Sequence, residues 1–246
     1  MPAPLIFLFT DFGIDGPYAG QMKAVLSARA PGVPAIDLMH DAPAHNPRAA
    51  AYLLAALAPE SPPDSVFLGV VDPGVGTKAR RPMAVQADGR WFVGPGNGLF
   101  NVVAARAGGG SWWEITWTPE REPSASFHGR DLFAPVAAML ARGEVPPGDP
   151  VAPPVPSDAW PDDLHEVIYI DRFGNAMTGV RASSAIKFEK LSVNGHALRR
   201  ARTFGDVPEG KGFWYANSSG LVEIAVNRGR ARDALGLEIG TAVTFT

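Results

Sequence analysis

Residues 66–76 read VFLGVVDPGVG, an apolar run that ends at an acidic residue and continues as a glycine-rich loop. A run that is apolar along its whole length, here residues 66–71, predicts a strand covered on both faces, as in a parallel sheet. Asp72 follows at the carboxyl end of this strand, the edge at which open α/β sheets bind their ligands. The segment therefore predicts both a fold class and one side of a binding cleft.

Short apolar runs alternate with segments of helical period on the amino-terminal side of this stretch. They predict strands at residues 5–9 and 33–39 and helices at residues 21–30 and 47–58. The second helix opens with Asn46 as its N-cap, followed by proline at the first helical position. This alternation is typical of βα units and predicts an α/β domain with a parallel sheet.

The pattern changes after a proline-rich stretch. Residues 146–161 contain seven prolines, which interrupt helices and sheet ladders, so this stretch is the best linker candidate. Beyond it, short strand-like segments without long helices predict an antiparallel sheet or small barrel of about 80 residues. We therefore expect an α/β domain at residues 1–150, a linker at 151–163 and a smaller β domain at 164–246.

Composition narrows the function classes. The chain has 246 residues, 46% of them hydrophobic, and a net charge of −3, which suits a folded protein and gives no attraction to nucleic acid or anionic lipid. It has no cysteine, which excludes disulfides, thiolate metal sites and a cysteine nucleophile and fits a cytoplasmic location. No stretch reaches the roughly 18 apolar residues of a membrane helix. We expect a soluble protein with no nucleic-acid or membrane partner.

A few polar residues stand where the predicted fold would bring them to a cleft. Asp11 and Asp72 each follow an apolar strand, and His128 precedes a predicted helix. Each could equally be an ordinary turn, capping or surface residue. A metal site built from Asp11, Asp72, His40 and His45 is conceivable, but none of the usual metal-binding spacings occurs, so we expect no metal.

Familiar nucleotide and hydrolase signatures do not occur. The first βα turn has no GxGxxG, and neither GxxxxGK[ST] nor GxSxG is found, so a standard dinucleotide site, a P-loop and a serine hydrolase lack support. The second half offers aromatic and amide side chains that could stack on and hydrogen-bond to an uncharged purine, or simply be turn residues beside core aromatics. These candidates are Asp171, Phe173, Asn175, Asn217, Ser218, Glu223 and Asn227.

Six motifs, taken together and in order, are similar to one family. They are TDFGxDGPYxGQMK (10–23), VVDPGVGT (70–77), GPGNGL (94–99), FHGRD (127–131), DRFGN (171–175) and NSSGLVEIAVNRG (217–229). This set resembles the S-adenosylmethionine hydroxide adenosyltransferases, which are related to S-adenosylmethionine-dependent fluorinating and chlorinating enzymes. The resemblance covers nearly the whole chain. It implies a Rossmann-like N-terminal domain with a mostly parallel sheet, a C-terminal β-barrel, and a homotrimer with active sites between adjacent subunits.

The resemblance also implies a reaction, in which water attacks the ribose C5′ of S-adenosylmethionine and releases adenosine and methionine without any cofactor. Asp72, Arg80 and His128 resemble the water-activating set of the family. The loop before the arginines is one residue longer than usual, so Arg81 is an alternative to Arg80. Halogenating relatives carry tyrosine at the position of Asp72, which argues against a halogenase. A protein that binds adenosine or S-adenosylmethionine without turnover is the other alternative.

Substrate-binding roles are implied in the same way. Asp11 would hold the ribose hydroxyls through charge-assisted hydrogen bonds. The expected adenosine contacts are Asn175, Asn217, Ser218, Glu223, Asn227 and the backbone at Val226, with Phe173 and Phe204 flanking the adenine and Asp171 and Tyr18 nearer the methionine. His45 stands where the family usually has an aromatic residue, so the sequence does not identify the residue that covers the ribose.

Overall fold

The computed structural model describes residues 4–77, 80–156 and 158–246. The chain divides into two compact units, Met1–Ala159 and Trp160–Thr246. Each unit contains one seven-stranded sheet. An α/β unit followed by a smaller β unit is the predicted fold class, which is thereby confirmed.

The sheet of the first unit has the strand order β2-β1-β3-β5-β4-β6-β7. Its strands are β1 (Ile6–Thr10), β2 (Ala35–Met39), β3 (Val66–Val70), β4 (Pro82–Ala87), β5 (Arg90–Pro95), β6 (Ser111–Ile115) and β7 (Gly148–Pro150). The first four strands in that order, β2, β1, β3 and β5, are parallel, and the remaining pairs are antiparallel. β4 and β5 form a hairpin, as the Asp88-Gly89 pair between two strand-like runs predicts, with positive φ at both turn residues.

Four helices connect these strands, namely α1 (Tyr18–Arg29), α2 (Pro47–Leu57), α3 (Asn101–Arg106) and α4 (Ala134–Ala141). A single π-helical turn, Gly129–Phe133, leads directly into α4. The predicted start of α2 is confirmed, since the Asn46 side chain accepts a hydrogen bond of 3.0 Å from the Ala49 amide. This cap satisfies one of the amides that a helix start leaves unpaired.

Strand β3 is buried on both faces, as its apolar run predicts. On one face, Val66 and Leu68 belong to a core that also contains Met22 and Leu26 of α1. On the other face Phe67 stacks between its register partners on β1 and β5, Phe7 and Phe92, with ring centroids 5.2 and 5.0 Å apart. The two-sided core holds the carboxyl ends of β1 and β3 in fixed register.

Part of the predicted linker packs against the first unit. The Val151 amide donates to the Trp112 carbonyl at 2.9 Å. The Asn101 side chain donates to the carbonyls of Val155 and Pro156 at 2.9 and 3.1 Å. Ser157, also in that stretch, lies outside the described residues. The proposed domain limits stay a prediction.

The sheet of the second unit has the order β14-β10-β11-β12-β13-β9-β8. Its strands are β8 (Leu164–Ile170), β9 (Ala176–Arg181), β10 (Lys190–Val193), β11 (His196–Arg200), β12 (Gly212–Ala216), β13 (Leu221–Val226) and β14 (Thr244–Phe245), with short helices α5 (Ala182–Ala185) and α6 (Ala231–Leu235). A bridge between Glu166 and Ala242 links β8 to the chain just before β14, so the sheet nearly closes on itself. The predicted barrel is confirmed.

Candidate active site

A cleft of about 200 Å³ opens in the first unit at the carboxyl ends of β1 and β3. Residues on its wall include Asp11, Phe12, His45, Asp72, Phe127 and His128. Thr10 and Val70 are register partners in these two parallel strands, so the chain leaves the sheet at the same edge in both. The expectation that both strand ends face one cleft is correct.

Asp11 is held at the cleft by backbone contacts. Its amide donates to the Val70 carbonyl at 3.3 Å, and its Oδ2 accepts from the His45 amide at 3.0 Å. His45 has φ of +56°, in the left-handed region that a non-glycine residue seldom adopts. This left-handed conformation is found at the residue whose backbone amide donates to the Asp11 carboxylate.

The structure brings Asp72 and Arg80 together with His128, which lies 48 residues after Arg80 in the sequence. Arg80 Nη2 donates to Asp72 Oδ2 and lies 3.2 Å from His128 Nδ1. The Arg80 and Asp72 side chains are only 6% and 4% exposed. The guanidinium also lies over the Phe133 ring, 5.2 Å from its centroid. A buried ion pair therefore adjoins a histidine at the wall of the cleft.

The neighbouring arginine has a different partner. Arg81 Nη1 donates to Glu114 Oε2 at 3.0 Å, and both side chains are partly exposed. Arg80 is therefore the arginine that contacts Asp72, and Arg81 lies in a surface ion pair. The sequence alone left both open.

Hydrogen-bond directions in this cluster define the state of His128. A guanidinium only donates, so Nδ1 of His128 is the acceptor and the proton of the neutral ring is assigned to Nε2. Burial, and then the positive charge of Arg80, lower the pKa of His128 below its usual 6.5. The imidazole is therefore neutral at pH 7, with an N–H to donate.

Only one of the two carboxylate oxygens of Asp72 accepts a hydrogen bond from a described residue. Oδ2 accepts from Arg80, whereas Oδ1 is buried and has no hydrogen-bond partner among the described residues. A buried acceptor without a donor costs free energy, and an ionised one costs more. Asp72 lines the cleft, but Oδ1 itself is covered, so a donor reaches it only when the surrounding side chains shift.

An aromatic group borders the same cleft. Phe12, Tyr18 and Phe127 contact one another with ring centroids 5.2 to 5.8 Å apart. Tyr18 is 47% exposed, while Phe127 is buried beside His128. These rings supply an apolar wall next to the polar cluster.

In the second unit, Asp171 and Asn175 close the loop between β8 and β9. Asp171 Oδ1 accepts from the Asn175 amide at 2.8 Å, and Oδ2 accepts from the Asn175 side chain at 3.2 Å. Gly174 has φ of +83°, and its amide donates to the Asp171 carbonyl. The loop is tight, and glycine permits its left-handed backbone.

Glu223 is buried between two donors on the barrel. Its oxygens accept from the Tyr215 hydroxyl at 2.6 Å and from the Asn217 side chain at 2.9 Å. Burial raises the pKa of Glu223, and the negative charge of Asp171 raises it further. The two hydrogen bonds lower this pKa, but by less, so the pKa lies above its usual value. The pKa of Tyr215 is raised too, first by burial and then by its bond to Glu223. Sequence reasoning missed Tyr215, which is the cross-strand partner of Glu223 on β12.

The other predicted substrate contacts differ in their surroundings. Phe204 packs edge-on against Phe213 and Tyr215, at 5.1 and 5.6 Å. Phe173 is 74% exposed, and Ser218 is exposed as well. Val226 is buried, and its carbonyl accepts from the Gly229 amide. Asn227 donates its side-chain amide to the Val207 carbonyl at 2.6 Å, so that amide already has an internal partner.

Within 4–77, 80–156 and 158–246 there is no group of three or more His, Cys, Asp or Glu side chains placed to hold a metal ion. Over the same ranges no helix is long and apolar enough to span a bilayer. His40, once considered as a ligand, has Thr10 and Asp37 as partners.

Family models of the SAM hydroxide adenosyltransferase N-terminal and C-terminal domains match residues 6–149 and 165–244. A Thermus thermophilus protein named (R)-S-adenosyl-L-methionine hydrolase is 43% identical, over 97% of this chain and 98% of that protein. A Salinispora tropica protein of the same name is 38% identical, over 100% and 98%.

Two solved structures superpose along nearly the whole chain. An uncharacterized conserved protein from Thermotoga maritima has a TM-score of 0.87 and 33% identity, covering 98% of this chain and 99% of that one. A conserved hypothetical protein from Thermus thermophilus has a TM-score of 0.78 and 40% identity, covering 99% and 100%.

Proposed function

This chain belongs to the SAM hydroxide adenosyltransferase family, and from that premise we propose that it hydrolyses S-adenosylmethionine to adenosine and methionine. Water adds at the ribose C5′, and the sulfonium leaves. The observation that carries the residue assignment is the buried Asp72, which is paired with Arg80, adjoins His128 and has one carboxylate oxygen without a described partner.

The proposed step is an in-line displacement. An oxygen–C5′ bond forms as the C5′–S bond breaks, and the electron pair of that bond goes to sulfur. Methionine leaves as a neutral thioether, so the leaving group needs no acid. Alignment of the water behind the C–S bond is the main task, and near-attack geometry can contribute up to roughly 7–11 kcal/mol.

Each member of the cluster has a separate part in this proposal. Asp72 accepts the hydrogen bond of the attacking water and then its proton through Oδ1, once the side chains that cover this atom shift as the substrate binds. His128, neutral and protonated at Nε2, donates to the water oxygen and stabilises the developing hydroxide. Arg80 hydrogen-bonds to Oδ2 of Asp72 and to Nδ1 of His128 and thereby orients both side chains. The tautomer of His128 favours Asp72 over His128 as the proton acceptor.

We assign the substrate contacts by the same resemblance. Asp11 would bind the ribose hydroxyls, with its Oδ2 fixed by the His45 amide. The adenine site would comprise Asn175, Ser218 and the backbone at Val226, flanked by Phe173 and Phe204. Asp171 and Tyr18 would lie nearer the methionine, and Asn217 and Asn227 would complete the set.

Glu223 would act on the adenosine indirectly. Both of its oxygens already accept hydrogen bonds, from Tyr215 and from Asn217. A buried acidic group held in this way fixes the donors that contact it. We therefore assign Glu223 to the orientation of Tyr215 and Asn217.

Oligomerisation is part of the proposal, because the family resemblance implies a homotrimer with active sites between adjacent subunits. Light scattering is expected to give a particle of three times the 26.0 kDa chain mass. A fully active monomer would contradict a shared site. We also place the enzyme in the cytoplasm, which suits a chain without cysteine and which cell fractionation would test.

Hydrolysis in ¹⁸O-water tests the reaction directly. We expect S-adenosylmethionine to yield adenosine labelled at its 5′ oxygen and unlabelled methionine, because the new bond joins solvent oxygen to C5′. Mass spectrometry of the products measures this. Since the relatives' names specify the (R)-sulfonium, each epimer is assayed separately and the (R) form should react faster.

The controls for that assay separate the alternatives. Adenosine incubated with the enzyme in ¹⁸O-water must stay unlabelled, which excludes exchange after release. Unlabelled adenosine from S-adenosylmethionine would rule out attack by water at C5′. A 5′-chloro product in added chloride would indicate a halogenase, and a tight complex without turnover would indicate a binding protein.

A further inference from the structure

A second chain of polar side chains lies behind the cleft, and no step proposed above uses it. Lys23 Nζ donates to Asp37 Oδ2 at 2.8 Å, and His40 Nε2 lies 2.9 Å from Asp37 Oδ1. The other ring nitrogen of His40, Nδ1, lies 2.8 Å from Thr10 Oγ1. The chain runs from a partly exposed ion pair to a threonine at the end of β1.

The hydrogens in this chain follow one direction. The Asp37 carboxylate only accepts, so His40 Nε2 donates to it. Thr10 Oγ1 accepts from the Phe12 amide at 3.4 Å, which leaves the hydroxyl hydrogen for His40 Nδ1. Each hydrogen bond from the Phe12 amide through Thr10 and His40 thus has its donor on the side away from Asp37. Both ring nitrogens of His40 therefore have a hydrogen-bond partner.

An acid, a histidine and a hydroxyl in this order resemble a nucleophilic triad. Burial excludes that role, because Thr10 is 0% exposed and its hydroxyl cannot reach a substrate atom. His40 is buried as well. These hydrogen-bonded side chains therefore have a structural role, which is to hold the backbone around them.

That structure is the loop that carries Asp11. The Ala42 amide donates to the Thr10 carbonyl at 3.0 Å, and the Gly13 amide donates to the His40 carbonyl at 2.6 Å. Together with the His45 amide on Asp11 Oδ2, these bonds attach the loop after β1 to the loop after β2. The buried Thr10–His40 bond lies at the centre of this attachment.

We propose that His40 is a positioning residue of the substrate site, which through Thr10 holds the loop that presents Asp11 and Phe12 to the cleft. This inference rests on the proposed function for the identity of the ligand. Asp11 binds ribose in that proposal, so a misplaced loop weakens substrate binding. The Thr10 and His40 side chains hydrogen-bond to each other, to the Phe12 amide and to Asp37, and not to Asp72, Arg80 or His128, so the chemical step should change less.

Two substitutions of Thr10 separate this role from simple packing. Thr10→Val keeps the side-chain shape and removes the hydroxyl, whereas Thr10→Ser keeps the hydroxyl and removes a methyl group. Loss of one buried hydrogen bond predicts a rise of about tenfold in KM for S-adenosylmethionine and in Kd for adenosine with Thr10→Val. For Thr10→Ser we expect both values within about threefold of wild type, and kcat within about threefold in both variants.

His40 variants give a second measure if either Thr10 variant folds poorly. The Oδ1 of His40→Asn can accept from Thr10 in place of Nδ1, whereas His40→Ala leaves the hydroxyl unpaired, so KM should rise more with alanine. His196→Gln, at an exposed histidine of the second unit, is the matched control and should match wild type. Thermal melting checks that each variant is folded.

The outcomes separate the two proposals. Wild-type turnover of S-adenosylmethionine reports on the proposed function alone, and the contrast within each variant pair reports on the loop. Equal KM values for valine and serine at Thr10, or for alanine and asparagine at His40, would overturn the positioning role. So would a fall in kcat at unchanged KM.

Discussion

Replacing Asp72 with asparagine is expected to lower kcat for S-adenosylmethionine hydrolysis by on the order of 10²-fold or more. The amide has the shape of the carboxylate and can still receive a hydrogen bond, but it cannot take the proton of the attacking water. Adenosine carries no reacting sulfonium, so its Kd should change by less than about threefold. Steady-state kinetics and calorimetric titration with adenosine measure the two quantities.

Two further variants make that result specific. Asp149→Asn removes a charge from the exposed strand β7 and should retain wild-type kcat. His128→Ala should lower kcat by on the order of 10²-fold, because the water then loses its donor. If Asp72→Asn weakened adenosine binding as much as it slowed turnover, the carboxylate would be structural.

Replacing Arg80 with methionine is expected to lower the free energy of unfolding by about 3–5 kcal/mol, because it leaves the buried Asp72 charge without a partner. Arg81→Met is the matched control, one residue away. Its ion pair with Glu114 is partly exposed, so the loss should stay within about 1 kcal/mol. Urea denaturation of each purified variant measures both changes.

A double variant separates stability from catalysis at this ion pair. Adding Asp72→Asn to Arg80→Met removes the isolated charge, so part of the lost stability should return. Turnover should not return, because the proton acceptor is gone. Equal destabilisation by Arg80→Met and Arg81→Met would contradict the assignment of Arg80 to the buried pair.

Patterns that depend on a residue's own neighbours in sequence predicted much of this fold. The apolar run at β3, the cap at Asn46 and the Asp88-Gly89 turn each follow from local chemistry. The strands β6, β7, β9 and β11 were missed. In β11, HALRR, only Leu198 is buried, and the strand is held by its pairing with β10 and β12. Such a strand forms because neighbouring strands pair with it, and this pairing cannot be predicted from its own residues.

The site was predictable as a set of residues, but its geometry was not. Ordered motifs identified Asp72 and His128, whereas the choice of Arg80 over Arg81 needed coordinates. Tyr215 was missed because its link to Glu223 depends on the register of two antiparallel strands. His40 was considered only as a metal ligand, since nothing local shows that it contacts Thr10 across thirty positions.

The ion pair between Asp72 and Arg80 also bears on how the enzyme recovers after each reaction. In the proposed reaction one sulfonium cation and one water give adenosine, methionine without net charge and one proton, and Asp72 would accept that proton first. Arg80 still hydrogen-bonds to Oδ2, and the carboxyl must release this proton to solvent before it can act as a base again. Release of this proton returns Asp72 to the form that accepts a proton in the next reaction, and each turnover adds one proton to the solution.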